Sequence, residues 1–153
     1  MSGTIRTFLA FDIEDPKILQ KISHVQKMLV NTRADLKLVD PQNIHLTIRF
    51  LGDIHPPMVD QIFEEMKQVT FSPFQIELDG VGAFPKPAYP RVVWAGIRDG
   101  AKELKNVFEQ LEPRLRRLGF HPDNKGFSPH LTIARVRSGR NKAKLAELIH
   151  EMM

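Results

Sequence analysis

Residues 44–50 read IHLTIRF, and residues 129–135 read PHLTIAR. The tetrapeptide His-Leu-Thr-Ile therefore occurs twice, about half a chain apart, in a protein of 153 residues that has only six histidines. Each copy follows a segment rich in turn-forming residues and has the composition of a β-strand. The repeat predicts two related strands, one near the middle of each half of the chain.

The alternation of a β-strand decides which side chains of each copy lie together. Successive side chains of a strand point to opposite faces. His45 and Thr47 should therefore share one face of the first strand, and His130 and Thr132 should share one face of the second. Each strand would present a polar pair to one side and a Leu-Ile pair to a core.

Hydrophobic periodicity around the two motifs predicts the order strand, helix, strands, helix, strands, helix, strand, helix. Asp15 and Pro16 have the pattern of an N-cap followed by proline in the first turn. Residues 85–90, PKPAYP, are interpreted as a loop. Pro113 should kink or split the third helix. The pattern favours one domain over residues 1–153 with mixed α+β structure and two pseudo-symmetric lobes.

Composition favours a folded protein with a polyanionic partner. Apolar residues make up 42% and charged residues 26% of the chain, the net charge is +4, and no apolar run approaches the ~20 residues that cross a bilayer. Between residues 91 and 144 there are 13 Lys and Arg but 5 Asp and Glu. This basic half favours RNA or DNA, although a solvated surface is an equal alternative. No cysteine and no signal-like segment is present, which favours a cytoplasmic protein.

Two imidazoles and two hydroxyls in one groove would suit a phosphodiester. An imidazole has an ordinary pKa of ~6.5, so one ring can accept a proton from water while the other donates one to a leaving oxygen. Threonine hydroxyls can donate to the non-bridging phosphate oxygens. The alternative is that each His-x-Thr pair is structural. A zinc site is less favoured because no Asp or Glu recurs at a matching offset from His45 and His130.

The two H-x-T motifs, half a chain apart, resemble those of the 2H phosphoesterase superfamily. The resemblance is greatest to the RNA 2′,3′-cyclic phosphodiesterases, also called LigT-like or 2′-5′ RNA ligase proteins. It extends to the blocks TFLAFDI, NIHLTIRFLGDI, GVGAFP, PRVVWAGI and FSPHLTIAR, in that order. It implies a bilobal fold with a pseudo-twofold duplication, in which antiparallel sheets form a central groove and helices pack outside.

The resemblance also implies an activity and its residues. It implies hydrolysis, without a metal or other cofactor, of a 2′,3′-cyclic phosphate on RNA or a nucleotide, which leaves a 2′-phosphate. His130 would activate water and His45 would protonate the leaving 3′ oxygen. Thr47 and Thr132 would bind the phosphate.

Arg135, at the end of the second block, would also bind phosphate. Phe50 stands at the matching offset in the first block, so the groove would be asymmetric. Strict alternation puts Arg135 on the face opposite to His130. A bulge or the strand end must therefore turn it, or it is only a surface charge.

Two aromatic residues are candidates for contact with a terminal base. Phe11 and Trp94 lie on predicted strands that could flank the groove, where an aromatic ring stacks on a base. A place in the core is an equal alternative for both. Tyr89 and Arg91, beside the proline-rich loop, could also touch RNA.

Members of this family usually continue past the last helix into another strand or two. We therefore expect either a truncated C-terminus or an uncovered edge of the second lobe. Two other functions use the same features. A 2′-5′ RNA ligase would use the same histidines, and a non-catalytic RNA-binding module would need only the basic half.

Overall fold

The computed structural model describes residues 3–123 and 126–153. Its strands are β1 (Ile5–Asp12), β2 (Leu36–Leu38), β3 (His45–Ile54), β4 (Leu78–Lys86), β5 (Tyr89–Ile97) and β6 (His130–Val136). Its helices are α1 (Pro16–Asn31), α2 (Met58–Met66), α3 (Ala101–Arg117) and α4 (Lys142–Glu151). The predicted α+β class is confirmed.

The strands form two antiparallel sheets. One has four strands in the order β2-β6-β5-β4, and the other consists of β1 and β3. The four-stranded sheet has β6 and β5 at its centre, so the second His-Leu-Thr-Ile copy lies in an interior strand. The first copy lies in the two-stranded sheet.

The chain divides into two compact units, each built from three segments. Unit 1 contains Met1–Phe11, Thr47–Ile76 and Asp99–Pro129. Unit 2 contains Asp12–Leu46, Glu77–Arg98 and His130–Met153. The units therefore do not correspond to the two halves of the sequence. The four-stranded sheet, α1 and α4 belong to unit 2, whereas α2 and α3 belong to unit 1.

The core of unit 2 lies between its sheet and its helices. α4 contacts β4 and β5, and α1 contacts β6. The inward side chains come from both helices and from the central strands, and they are Ile22, Leu29, Val93, Leu131, Ile133, Leu145 and Ile149. Full burial of a side chain of this size contributes roughly 1.5–3 kcal/mol, so this layer holds β6 firmly in place.

Unit 1 has a core and a polar periphery of its own. Leu104 and Leu115 of α3 are almost fully buried. At the surface, Arg114 forms an ion pair with Glu65 of α2, with an N–O distance of 3.3 Å. Gln110 bridges to both backbone groups of Thr70, accepting from its N–H and donating to its carbonyl oxygen.

Helix α1 begins as the sequence predicts, and Pro113 does not split α3. The Asp15 carboxylate accepts from the Lys17 N–H at 2.9 Å, and Pro16 opens the helix, as predicted. α3 continues through Pro113, so the proline does not split it. Pro113 is exposed near the end of α3, where water can hydrate the freed carbonyl. None of the helices in the described ranges combines the length and apolar character required to cross a bilayer.

The prediction of a loop over residues 85–90 is wrong. β4 continues to Lys86 and β5 begins at Tyr89, so these residues form a tight hairpin. Proline is tolerated here because β4 is an edge strand and the register shifts between Phe84 and Pro85. Edge positions and bulges do not require the N–H that proline lacks.

Candidate active site

The second His-Leu-Thr-Ile copy lies in β6, beside β5, in unit 2. His130 is opposite Gly96, and Thr132 is opposite Trp94. Cross-strand partners share a face of the sheet. Because Trp94 and Gly96 are two residues apart on β5, His130 and Thr132 occupy the same face, in agreement with the alternation of the sequence.

A β-bulge on β6 changes the face on which Arg135 lies. Trp94 pairs with Thr132, but the residue before Trp94 pairs with Ala134, so β6 has one extra residue between the two pairs. Beyond the bulge, Arg135 lies opposite Val92. Val92 and Trp94 share a face of β5, and Arg135 therefore lies on the face of Thr132. The conflict with strict alternation is removed by this bulge.

A glutamine on α1, which the sequence analysis did not single out, supports the bulge. Gln26 is only 6% exposed, and its Nε2 donates to the carbonyl oxygens of Ile133 and Val39, both at 2.9 Å. Ile133 is the extra residue of the bulge, and its carbonyl also accepts from the Val39 N–H at 3.0 Å. The sequence pattern could have identified Gln26, because this amide lies four residues after Ile22, within the apolar stripe of α1.

Two aromatic rings lie beside His130 on the same face. The Phe84 ring is 5.1 Å from the imidazole, centroid to centroid, in an edge-to-face arrangement, and the Trp94 ring is 6.1 Å away. Phe84 is 40% exposed and was not singled out from the sequence. A Cβ on Gly82 would lie 2.2 Å from the indole, so only glycine leaves room for Trp94 there. These contacts limit how His130 can turn.

The first copy begins β3. His45 and Thr47 are half-buried, while Leu46 and Ile48 are buried, as alternation predicted. His45 belongs to unit 2 together with His130, whereas Thr47 belongs to unit 1. β3 thus starts in one unit and continues in the other. The first motif differs in this way from the second, which lies entirely in unit 2.

Arg49 follows Thr47 by two residues on β3 and is held tightly within unit 1. Its Nε lies 2.5 Å from the Glu112 carboxylate, and the two side chains are each 10% exposed. It also donates to the carbonyl oxygens of Phe50 and His121. Phe50 is exposed, and the Arg6 guanidinium lies 5.0 Å from the centre of its ring. Phe50 is five residues after His45, as Arg135 is after His130, so the matching position in β3 carries no charge.

Phe11, the remaining predicted site residue, lies in an aromatic cluster of unit 1. Its ring is 5.6 Å from that of Phe71 and 6.3 Å from that of Phe74, both nearly perpendicular. Such edge-to-face contacts add to the stability of the apolar core. A role for Phe11 in binding a base stays a prediction.

The face of unit 2 that carries His130, Thr132 and Arg135 offers an imidazole, a hydroxyl and a guanidinium side by side. This set can exchange a proton and donate hydrogen bonds to an anionic oxygen. Within residues 3–123 and 126–153, no group of three or more His, Asp or Glu side chains is arranged to hold a metal ion.

Sequence comparison matches residues 13–94 and 96–153 to the LigT-like phosphoesterases. An Aeropyrum pernix protein named RNA 2′,3′-cyclic phosphodiesterase is 38% identical over 132 residues, which cover 86% of this chain and 75% of the relative. The family predicted from the repeated motif is thereby confirmed.

Solved structures agree with this match. The Thermus thermophilus protein TT0787 superposes with a TM-score of 0.78 at 25% identity, over 88% of this chain and 75% of that one. Escherichia coli LigT in complex with 3′-AMP superposes with a TM-score of 0.68 at 26% identity, over 91% of this chain and 76% of LigT. On sequence and fold together, this chain belongs to the LigT-like phosphoesterases.

Proposed function

We propose that this chain hydrolyses the 2′,3′-cyclic phosphate at the end of an RNA strand and leaves a 2′-phosphate. The observation that carries the proposal is that His130, Thr132 and Arg135 share one face of the sheet of unit 2. Further support comes from the Aeropyrum pernix relative, whose name is that of this activity.

In the proposed mechanism, His130 takes a proton from water as the water oxygen bonds to phosphorus. The bond between phosphorus and the 3′ oxygen breaks, and His45 supplies the proton that this oxygen takes up. The products are a 2′-phosphate and a 3′-hydroxyl. His130 then returns its proton to solvent and His45 regains one, which prepares both for the next turnover.

Negative charge on the non-bridging oxygens grows as water attacks, and three side chains would stabilise it. Thr132 and Arg135 lie on the face of His130, and Thr47 lies on the face of His45 in β3. Hydroxyl and guanidinium donors that are already in position bind the transition state more strongly than the substrate. This difference in binding lowers the activation barrier.

Aromatic side chains would bind the nucleoside that carries the phosphate. Trp94 is the candidate with the strongest support, because its ring lies 6.1 Å from the His130 imidazole. Phe50 is exposed and Phe11 is partly exposed, and both could contact the sugar or base. The complex of Escherichia coli LigT with 3′-AMP supports nucleotide binding by proteins of this fold.

The test uses a dinucleotide ending in a 2′,3′-cyclic phosphate, purified protein and an excess of EDTA, with the products separated by chromatography. We expect a 2′-phosphate, formed at a rate that EDTA does not change. A 3′-phosphate would overturn the assignment of the leaving oxygen. Loss of activity in EDTA would overturn the metal-free mechanism, and the absence of both products would overturn the proposal.

His55→Ala is the matched control, because His55 is an exposed histidine in the turn before α2. It should hydrolyse the dinucleotide at the rate of the unchanged protein. Loss of activity in this control would show that the assay responds to any change of histidine.

A further inference from the structure

A polar pocket lies in unit 2 at the end of β6 that is farther from His130. It has a volume of about 180 Å³ and is lined by Tyr89 and Arg91 of β5, and by Arg137, Ser138, Gly139 and Lys142 after β6. It shares no lining residue with the face that carries His130, Thr132 and Arg135. The pocket is therefore a separate site on the same sheet.

The pocket has the charge of an anion site. Three cationic side chains line it, and no Asp or Glu is among its lining residues. Arg91, Arg137 and Lys142 form no ion pair with any carboxylate in the described part of the chain. The Lys142 ammonium instead lies 3.0 Å from the centre of the Tyr89 ring, which fixes its position. A phosphate group would supply the missing negative charge.

The pocket is too far from His130 to contact the reacting phosphate. β6 runs from His130 to Val136, so Arg137 lies roughly 20 Å from His130 at ~3.3 Å per residue. Basic side chains continue between the two points. Arg135 lies opposite Lys37 of β2, so the two share a face, and both are exposed.

We propose that this pocket binds an internal phosphate of an RNA strand whose terminal phosphate lies at His130. The placement of the terminal RNA phosphate at His130 rests on the proposed function. Stacked strands have one phosphate per ~3.4 Å along the axis, so ~20 Å corresponds to about six nucleotides, or fewer where the strand is extended. RNA substrates of about this length would contact the pocket, whereas a dinucleotide would not reach it.

The test measures binding and hydrolysis separately. Fluorescence anisotropy reports the affinity for an octaribonucleotide that ends in a linear 3′-phosphate, over a series of salt concentrations. Hydrolysis is measured with the cyclic-phosphate dinucleotide. The variant carries both Arg91→Ala and Arg137→Ala, and circular dichroism checks that it is folded. Lys144→Ala is the control, because Lys144 is an exposed lysine of α4 outside the pocket.

The double variant should bind the octamer about tenfold more weakly, and the slope of log affinity against log salt should fall by ~0.7 for each phosphate that the protein no longer neutralises. Its hydrolysis of the dinucleotide should stay at the rate of the unchanged protein, and Lys144→Ala should leave the slope unchanged. An equal loss of affinity in Lys144→Ala would overturn the proposal, since general charge would then explain the binding. So would unchanged octamer affinity in the double variant.

The two proposals fail separately. If the dinucleotide is not hydrolysed but octamer affinity depends on Arg91 and Arg137, the second site stands and the proposed function fails. If the dinucleotide is hydrolysed and the double variant binds the octamer normally, the function stands and the second site is refuted.

Discussion

The two His-Leu-Thr-Ile copies have the same sequence but different surroundings. The copy in β6 lies inside a four-stranded sheet, within one compact unit, and a bulge places the following arginine on the same face as the histidine. The copy in β3 lies in a two-stranded sheet and crosses from one unit to the other. Its arginine is Arg49, and this side chain is held by Glu112.

Of the two arginines, Arg49 is paired with a carboxylate and Arg135 is exposed, so we expect Arg135 rather than Arg49 to bind phosphate. Arg49 donates to a carboxylate and two carbonyl oxygens, so its hydrogen bonds serve the structure of unit 1. Arg135 is exposed and lies on the face of His130. The β6 copy should therefore account for more of the phosphate binding than the β3 copy.

The largest effect should follow from removing either histidine. His45→Ala and His130→Ala should each lower kcat on the cyclic dinucleotide by about 10²–10⁴-fold, the usual contribution of a general acid or base. Both rates are measured at saturating substrate. An unchanged rate in either variant would remove that histidine from the mechanism.

A diester with a nitrophenol leaving group separates the two roles, because nitrophenolate departs without a proton. His45→Ala should then lose much less activity than His130→Ala. The reverse result would exchange the acid and the base between the two motifs.

The second-largest loss of activity should come from Arg135, whose counterpart in β3 is the uncharged Phe50. Arg135→Ala should lower kcat/KM for the cyclic dinucleotide by about 10²-fold, as expected when one donor to a transition-state oxygen is removed. Phe50→Ala, at the matching position in β3, should change it only a few-fold. Arg116→Ala, an exposed arginine of α3, is the control. Equal losses at Arg135 and Phe50 would contradict the asymmetry.

The smallest effect should come from the residue that supports the bulge. Gln26→Leu removes the donor to the Ile133 and Val39 carbonyls and should lower the free energy of unfolding by about 2 kcal/mol, measured in urea. Gln20→Leu, on the exposed side of α1, should cost little.

Turnover by Gln26→Leu, measured where the variant is fully folded, tests whether the bulge also positions Arg135. We expect kcat to fall more than KM rises. Normal kcat in a destabilised variant would limit Gln26 to a role in stability.

Local pattern was enough to predict much of this molecule. Alternation correctly separated the polar and apolar faces of both motif strands, and Asp15 and Pro16 marked the start of α1. These features depend on residues close together in sequence. The repeated motif and the blocks around it also predicted the family.

Features that depend on distant residues could not be predicted. The bulge at Ile133 depends on pairing with β5 and on an amide from α1 that is 107 residues away in sequence. Phe84 approaches His130 only because β4 and β6 both flank β5. The proline-rich segment has the composition of a loop, and the sequence alone does not show that it ends an edge strand.

The interleaving of the two units has a consequence for synthesis on the ribosome. Six alternating segments mean that the chain passes between the units five times, and each unit needs a segment that begins at Asp99 or later. Neither unit can therefore finish folding while only the N-terminal half has emerged. Contacts of this long range slow folding, so the nascent chain should stay open to chaperones until β6 and α4 have left the exit tunnel.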